Sequence, residues 1–209
     1  MIELGSGVGV VGTYLSAIGS QVVLSDLPTL VENAVGPNLA RCKAIMDKRM
    51  ASTSSSSIID NHVFPSWLAT TDGIRLGDGW AAAIPLDWTR PLHDQMTHDT
   101  TSCIEFIIAS DVIFLVSMLT ALLNTVDSLF RASSSHNNPS FILCFQRRDA
   151  KAGEESVAFT TVSGFVAEVH QRGWTLDCLA WRPVTVQKET NDGLVVKEES
   201  EVYVFEIKP

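Results

Sequence analysis

Short apolar runs alternate with stretches of helical periodicity along most of this chain. Met1–Leu4 reads as the end of a strand, Gly5–Gly9 as a tight turn, and Val10–Ile18 as a helix stopped by Gly19. Gln21–Ser25 is a second strand, and Leu30 to about Met46 is helical. A third strand, Ala81–Leu86, runs into Asp87-Trp88. Ile104–Ala109 reads as a continuous apolar strand, broken only by Glu105, as a strand buried on both faces requires. Val116–Ala132 sets Met118, Leu119, Leu122, Leu123, Val126, Leu129 and Phe130 at helical spacing. Phe141–Phe145 is a fifth strand, and Glu154–Arg172 a helix closed by Gly173. The period then changes: Thr175–Trp181 and Glu201–Ile207 are strands with no helix between them, which reads as an antiparallel hairpin. The pattern predicts an α/β fold. Its sheet is Rossmann-like, seven-stranded and mostly parallel, with an antiparallel C-terminal hairpin and helices on both faces.

The rhythm breaks between about residues 47 and 79, where Ser52–Ser57 is followed by Gly73, Gly77 and Gly79. This stretch is expected to be a flexible insertion in one domain spanning 1–209. The chain has 209 residues, 45% apolar and 19% charged, which suits one sizeable core. A net charge of −9 disfavours a nucleic-acid partner and favours a basic protein or a small molecule. Cys42, Cys103, Cys144 and Cys178 form no CxxC pair and read as free thiols in a reducing compartment, the cytoplasm or nucleus. No apolar run reaches the length of a membrane span, and Glu3 stands where a secretory leader would be basic. A monomer with no membrane partner is expected. His93 and His98 flank acids in one loop, but no further ligand spacing supports a metal there.

The chemistry is concentrated in Glu3-Leu4-Gly5-Ser6-Gly7-Val8-Gly9, at a strand-to-helix junction where α/β sheets bind ligands. Glycines let the backbone turn sharply and approach a ligand closely. Two nucleotide readings compete. Gly7-x-Gly9-x-x-Gly12 with Asp26 at the next strand end fits a dinucleotide. Glu3 with Gly5, Gly7 and Gly9 fits S-adenosylmethionine (SAM). Three features favour SAM. A pyrophosphate would face the Glu3 carboxylate, whereas SAM carries an ammonium and a sulfonium. The dinucleotide register leaves Gly5-Ser6 as an extra turn inside the strand. The chain also closes in a hairpin.

These residues resemble the first motif of the class I (seven-β-strand) SAM-dependent methyltransferases. The resemblance is nearest to the branch called methyltransferase family 16, which includes many protein-lysine methyltransferases. Three segments follow in order: Leu24-Ser25-Asp26-Leu27-Pro28 with Asn38, Leu86-Asp87-Trp88, and Ala109-Ser110-Asp111-Val112-Ile113-Phe114. The resemblance implies SAM as cofactor. Gly5, Ser6 and Gly7 would offer backbone to its methionine end, beside Glu3. Asp26 with Leu27 would meet the ribose, Trp88 the adenine, and Ser110 the cofactor after the fourth strand. It sets Asp111 and Phe114 on the substrate side. There a carboxylate can orient an amine or take its proton, and an aromatic wall can hold a cationic product. Asp26 and Asp111 have a rival role as helix caps, and Trp88 as a core residue. Phe114 stands where the family has tyrosine.

The expected activity is methylation of a lysine on another protein. The rivals are a small-molecule N-methyltransferase and a non-catalytic module that keeps the fold. The family carries residues ahead of its first motif, so a chain starting inside the first strand reads as truncated.

Overall fold

The structure is a computed structural model and describes residues 1–52, 73–113, 115–133, 138–147, 160–189 and 195–209. The strands are β1 (Ile2–Leu4), β2 (Gln21–Asp26), β3 (Ile74–Leu76), β4 (Gly79–Pro85), β5 (Phe106–Ser110), β6 (Ser140–Gln146), β7 (Thr175–Glu189) and β8 (Val195–Lys208). The helices are α1 (Val10–Ala17), α2 (Pro28–Leu30), α3 (Gly36–Ser52), α4 (His98–Ser102), α5 (Val116–Ser133) and α6 (Val162–Gln171). A π-helical turn at Val31–Val35 joins α2 to α3, and a 3-10 turn covers Leu92–Asp94. Among the described residues no helix is long and apolar enough to cross a membrane.

One mixed sheet holds all eight strands in the order β3-β4-β2-β1-β5-β6-β8-β7. β4, β2, β1, β5 and β6 are parallel, while β3 and β8 run antiparallel to their neighbours. β1 is central. The chain builds the sheet outward from it through β2 and β4, then returns to place β5 on its other side. The crevice at such a reversal, at the carboxyl ends of the strands, is where open α/β sheets bind ligands.

Two apolar layers sandwich the sheet. On one face Val22, Leu24, Leu76 and Ala81 meet Val35 and Leu39, with Leu15, Cys42 and Met46 packed alongside. On the other, Ile2, Leu4, Ile107, Phe141, Leu143, Phe205 and Ile207 meet Leu122, Val126 and Phe130 of α5 and Phe165 and Val169 of α6. Central strands lined on both faces explain why β1, β2 and β5 read as nearly continuous apolar runs.

The sequence pattern misses in three places. β3 lies in the stretch expected to be insertion. It is three residues long and returns through Gly77-Asp78 onto β4, with Gly77 at φ 60, so its turn glycines mask it. α3 continues through Ser52, and the centre of the expected insertion, 53–72, lies outside the described residues. The hairpin strands run far beyond Trp181 and ahead of Glu201. In those extensions most of the described side chains face solvent, so no buried face imposes an apolar period. β7 is also irregular. Its register shifts between Cys178 and Ala180, and Pro183 stands opposite Glu201.

The α6 layer hangs on Phe165. It is fully buried, with its ring centroid 6.4 Å from Phe145 and 5.6 Å from Phe205. Phe165→Ala leaves a cavity that α6 cannot fill without leaving the sheet, and is expected to cost about 3–5 kcal/mol. Urea denaturation measures it; a loss below about 1 kcal/mol would mean the layer closes over the gap.

Candidate active site

The turn after β1 is built from residues that only fit one way. Gly5, Gly7 and Gly9 have φ of 68, 58 and 79, in the left-handed region where a side chain is strained. Gly5 is also enclosed: a Cβ there would lie 2.6 Å from Val112 Cγ1 and 3.2 Å from the Trp88 ring. Next to Gly7 the space is open, with no atom within 4 Å of such a Cβ. The turn is therefore closed on its Trp88 side and accessible at Gly7.

Three side chains hold this shape. Asp26, at the end of β2, accepts from the Gly7 amide at 2.7 Å and from the Leu27 amide at 2.7 Å, one on each oxygen. Each carboxylate oxygen keeps a second lone pair. Ser25 Oγ donates to the Glu3 carbonyl at 2.7 Å, and the Ser6 amide donates to the Ser25 carbonyl at 3.0 Å. Asn38 of α3 donates to the Val8 carbonyl at 3.0 Å, closing the turn from outside.

Glu3 has a different place from the one its sequence suggests. It is buried, 3% exposed, and its Oε2 accepts from the Gly12 amide at 3.1 Å. Gly12 is the third residue of α1, where an amide has no partner within the helix. The N-cap, Gly9, has no side chain to supply an acceptor, so Glu3 reaches across from β1 to supply it. Gly12 must be glycine, because a Cβ would sit 2.5 Å from Glu3 Oε2. Burial pushes the Glu3 carboxyl up to about 7. Hydrogen bonds from the Ser6 side chain and the Gly12 amide pull it down, and the charge of Asp26 nearby adds to the rise.

Trp88 follows β4 and lies half-buried against Gly5, with its indole Nε1 buried and without a partner in the protein. The ring meets Gly5 through Cζ2 and Cη2, and its nitrogen is left as an unsatisfied donor. The loop carrying Trp88 is clamped. The Asp87 amide donates to Gln95 Oε1 at 2.8 Å, Gln95 Nε2 donates to the Asp87 carbonyl at 2.9 Å, and Thr89 holds the Asp87 carboxyl below its usual range. Sequence reasoning missed Gln95, which lies in no recognisable motif, and gave no role to Val112, although it lies within the Ala109–Phe114 segment.

Ser110 ends β5, and Asp111 follows it at φ 57, the one non-glycine residue with positive φ among those described. Its amide donates to the Cys144 carbonyl of β6 at 2.9 Å, and its side chain is exposed. A left-handed aspartate fixed by a neighbouring strand is a strained conformation of the kind found at working sites. Leu27 is exposed at the foot of α2. Phe114 lies outside the described residues.

The sequence-predicted residues Glu3, Gly5, Ser6, Gly7, Asp26, Leu27, Trp88, Ser110 and Asp111 thus converge at the carboxyl ends of β1, β2, β4 and β5. An open glycine cradle, a carboxylate with spare lone pairs and an orphan indole donor fit an adenosyl ligand with an amino-acid tail.

Residues 74–163 match the family model described as lysine methyltransferase. That segment carries Trp88, Ser110 and Asp111. Among solved structures the chain is similar to the YcgJ protein of Bacillus subtilis, at 8% identity and TM-score 0.60, covering 99% of this chain and 90% of that one. It is similar to a SAM-dependent methyltransferase from Methanosarcina mazei, at 15% identity and TM-score 0.50, covering 98% and 90%. It is similar also to a SAM-dependent methyltransferase from Anabaena variabilis, at 12% identity and TM-score 0.50, covering 99% and 75%. No curated protein matches the chain. The structural likenesses establish the fold. That fold is the one the two SAM-dependent methyltransferases share with this chain. The matched segment, 74–163, is similar to the lysine methyltransferases.

The raised Glu3 carboxyl makes a pH test. Its folded value, about 7, lies above the unfolded one of 4.5, so its contribution is full at low pH and is lost as pH rises through 7. Between pH 5 and pH 8 the wild type should lose about 2–3 kcal/mol more stability than Glu3→Gln, whose amide stays neutral and can still accept from Gly12. Urea titrations of both proteins at the two pH values measure the difference. Parallel pH profiles would show that Glu3 ionises freely in the fold.

Proposed function

We propose that this protein binds SAM in the crevice between β1 and β5 and methylates a lysine side chain of another protein, in the cytoplasm or nucleus and as a monomer. One observation carries the reading. The segment similar to lysine methyltransferases supplies Trp88, Ser110 and Asp111, and the fold brings these to the rim of the glycine turn.

The residues divide the work by their chemistry. Gly5, Ser6 and Gly7 present backbone to the methionine end of the cofactor. The free lone pairs of Asp26 accept from the ribose hydroxyls, and the Trp88 ring lines the adenine side. Glu3, spent on Gly12, shapes the turn and supports the cofactor through it. The bound cofactor supplies a methyl group on a sulfonium. A lysine accepts it only as the neutral amine, because an ammonium has no lone pair. Asp111, exposed and fixed after β5, orients that amine or takes its proton. A net charge of −9 favours approach by a basic partner surface.

Two measurements test this. Asp26→Ala should weaken SAM binding about ten- to a hundred-fold, the loss of roughly 1.5–3 kcal/mol expected for hydrogen bonds to a charged group. Calorimetry reads the affinity and circular dichroism the fold; unchanged affinity removes Asp26 from the ribose site. In a cell lysate supplied with methyl-labelled SAM, label should enter protein and survive acid hydrolysis as methyllysine. Label confined to small molecules would reassign the substrate.

A further inference from the structure

The hairpin of β7 and β8 is longer than the sheet it closes. β8 pairs with β6 only from Val202 to Ile207, whereas β7 and β8 pair with each other from Thr175–Lys208 out to Glu189–Val195. Pro183–Glu189 and Val195–Glu201 therefore form a two-stranded arm that, among the described residues, has no third strand beside it. It is about 20 Å long at the usual rise per residue. Its direction follows from the topology. β6 is parallel to β5 and β1, and its last residue, Gln146, pairs with Val202 at the root of the arm. The arm thus leaves the sheet from the same rim as the glycine turn, Trp88 and Asp111.

At that root sits an exposed indole. Trp181 is 52% exposed on β7, opposite Tyr203 of β8. Glu201 gathers the groups around it. Its carboxylate accepts from Tyr203 Oη at 2.9 Å and from Arg147 Nη1 at 2.8 Å, and Arg147, Tyr203 and, least, Trp181 hold it below its usual range. The Tyr203 ring stacks on Phe205, which is in the core. An exposed tryptophan on an edge strand ordinarily loses rotamer freedom when a partner binds. Here its cross-strand neighbour Tyr203 is already fixed by Glu201 and Phe205, so part of the platform is ordered in the free protein, as at preorganised binding anchors. An aromatic face beside a carboxylate also favours a cation over it. Glu199, exposed on the same face one step up the arm and bonded by Thr185 Oγ1 at 2.9 Å, adds negative charge. Lys197 follows nearer the tip, Arg182 is on the opposite face, and Arg147 offsets Glu201, so the remaining negative charge on this face of the root is that of Glu199.

We infer that the root of this arm, Trp181 with Glu199 and the Glu201-anchored ring of Tyr203, docks a basic segment of the methyl-accepting protein. A lysine or arginine side chain of that segment lies over the Trp181 ring while the target lysine reaches Asp111. This rests on the protein-lysine reading above and names the surface that would serve it. The spacing is consistent. Asp111 is bonded to Cys144, Cys144 pairs with Val204, and Trp181 pairs with the adjacent Tyr203. Three strand spacings separate the two sites, about 14 Å, or four to five residues of extended chain.

The test compares wild type, Trp181→Ala, Trp181→Phe and Glu199→Lys in transfer of labelled methyl from SAM to heat-treated lysate protein, with SAM affinity and melting temperature measured for each. At limiting lysate protein, Trp181→Ala should fall about tenfold, with the gap narrowing as protein is raised. Trp181→Phe, which keeps a ring face, should recover part of the rate, and Glu199→Lys should fall as well. SAM affinity and melting temperature should be unchanged in all three. Equal rates for wild type and Trp181→Ala, or a Trp181→Ala loss that tracks weaker SAM binding or a lower melting temperature, would overturn the docking surface and leave the lysine reading intact. Absence of protein labelling by the wild type would overturn both.

Discussion

The hydrogen bond from the Gly12 amide to the buried carboxyl of Glu3 ties the central strand to the first helix, and the shape of the site follows from it. A carboxyl group in an apolar strand is costly, and here it is tolerated because a helix N-terminus offers it an unpaired amide. With that end of α1 tethered, the chain between Leu4 and Val10 has to turn sharply, and three left-handed glycines let it. Asp26 then closes the turn from β2 through Gly7. Two acidic residues close together thus have separate duties. The deeper one fixes backbone, and the shallower one keeps lone pairs toward the crevice.

The second half of the site is built on the same plan from the other side of β1. Val112 and Trp88 press on Gly5 from β5 and β4, so neither loop can shift without moving the turn. Asp111 is left-handed because its amide is claimed by Cys144 of the next strand while its neighbours continue from β5. The glycine turn and the loop carrying Asp111 therefore share one wall, and the proposed methyl transfer between two bound molecules would need the two held in such a fixed relation.

Much of this was legible in the chain because it is local. The Gly5–Gly9 turn, Asp26 at a strand end, and the apolar run before Ser110 each show in a few consecutive residues. The partner of Glu3 was not. Its acidity pointed to a cationic ligand, and only burial, which depends on the whole sheet, shows the carboxyl turned toward α1. Gln95 and the packing of Val112 on Gly5 were invisible for the same reason, since both are contacts across loops. β3 was hidden by brevity and its turn glycines. The outer hairpin was hidden because a strand with solvent on both faces has no hydrophobic period to read.

A fifteen-residue edge strand would normally be a hazard, since its open row of amides and carbonyls can recruit another strand and start a fibre. β7 is interrupted where it leaves the sheet. The slip between Cys178 and Ala180 throws Leu179 out of the ladder, and Pro183 has no amide to offer. A visiting chain can therefore keep register along this edge for only a few residues at a time. The molecule can extend a ribbon into solvent without inviting its own kind to polymerise on it, and whatever settles there has to be recognised by its side chains.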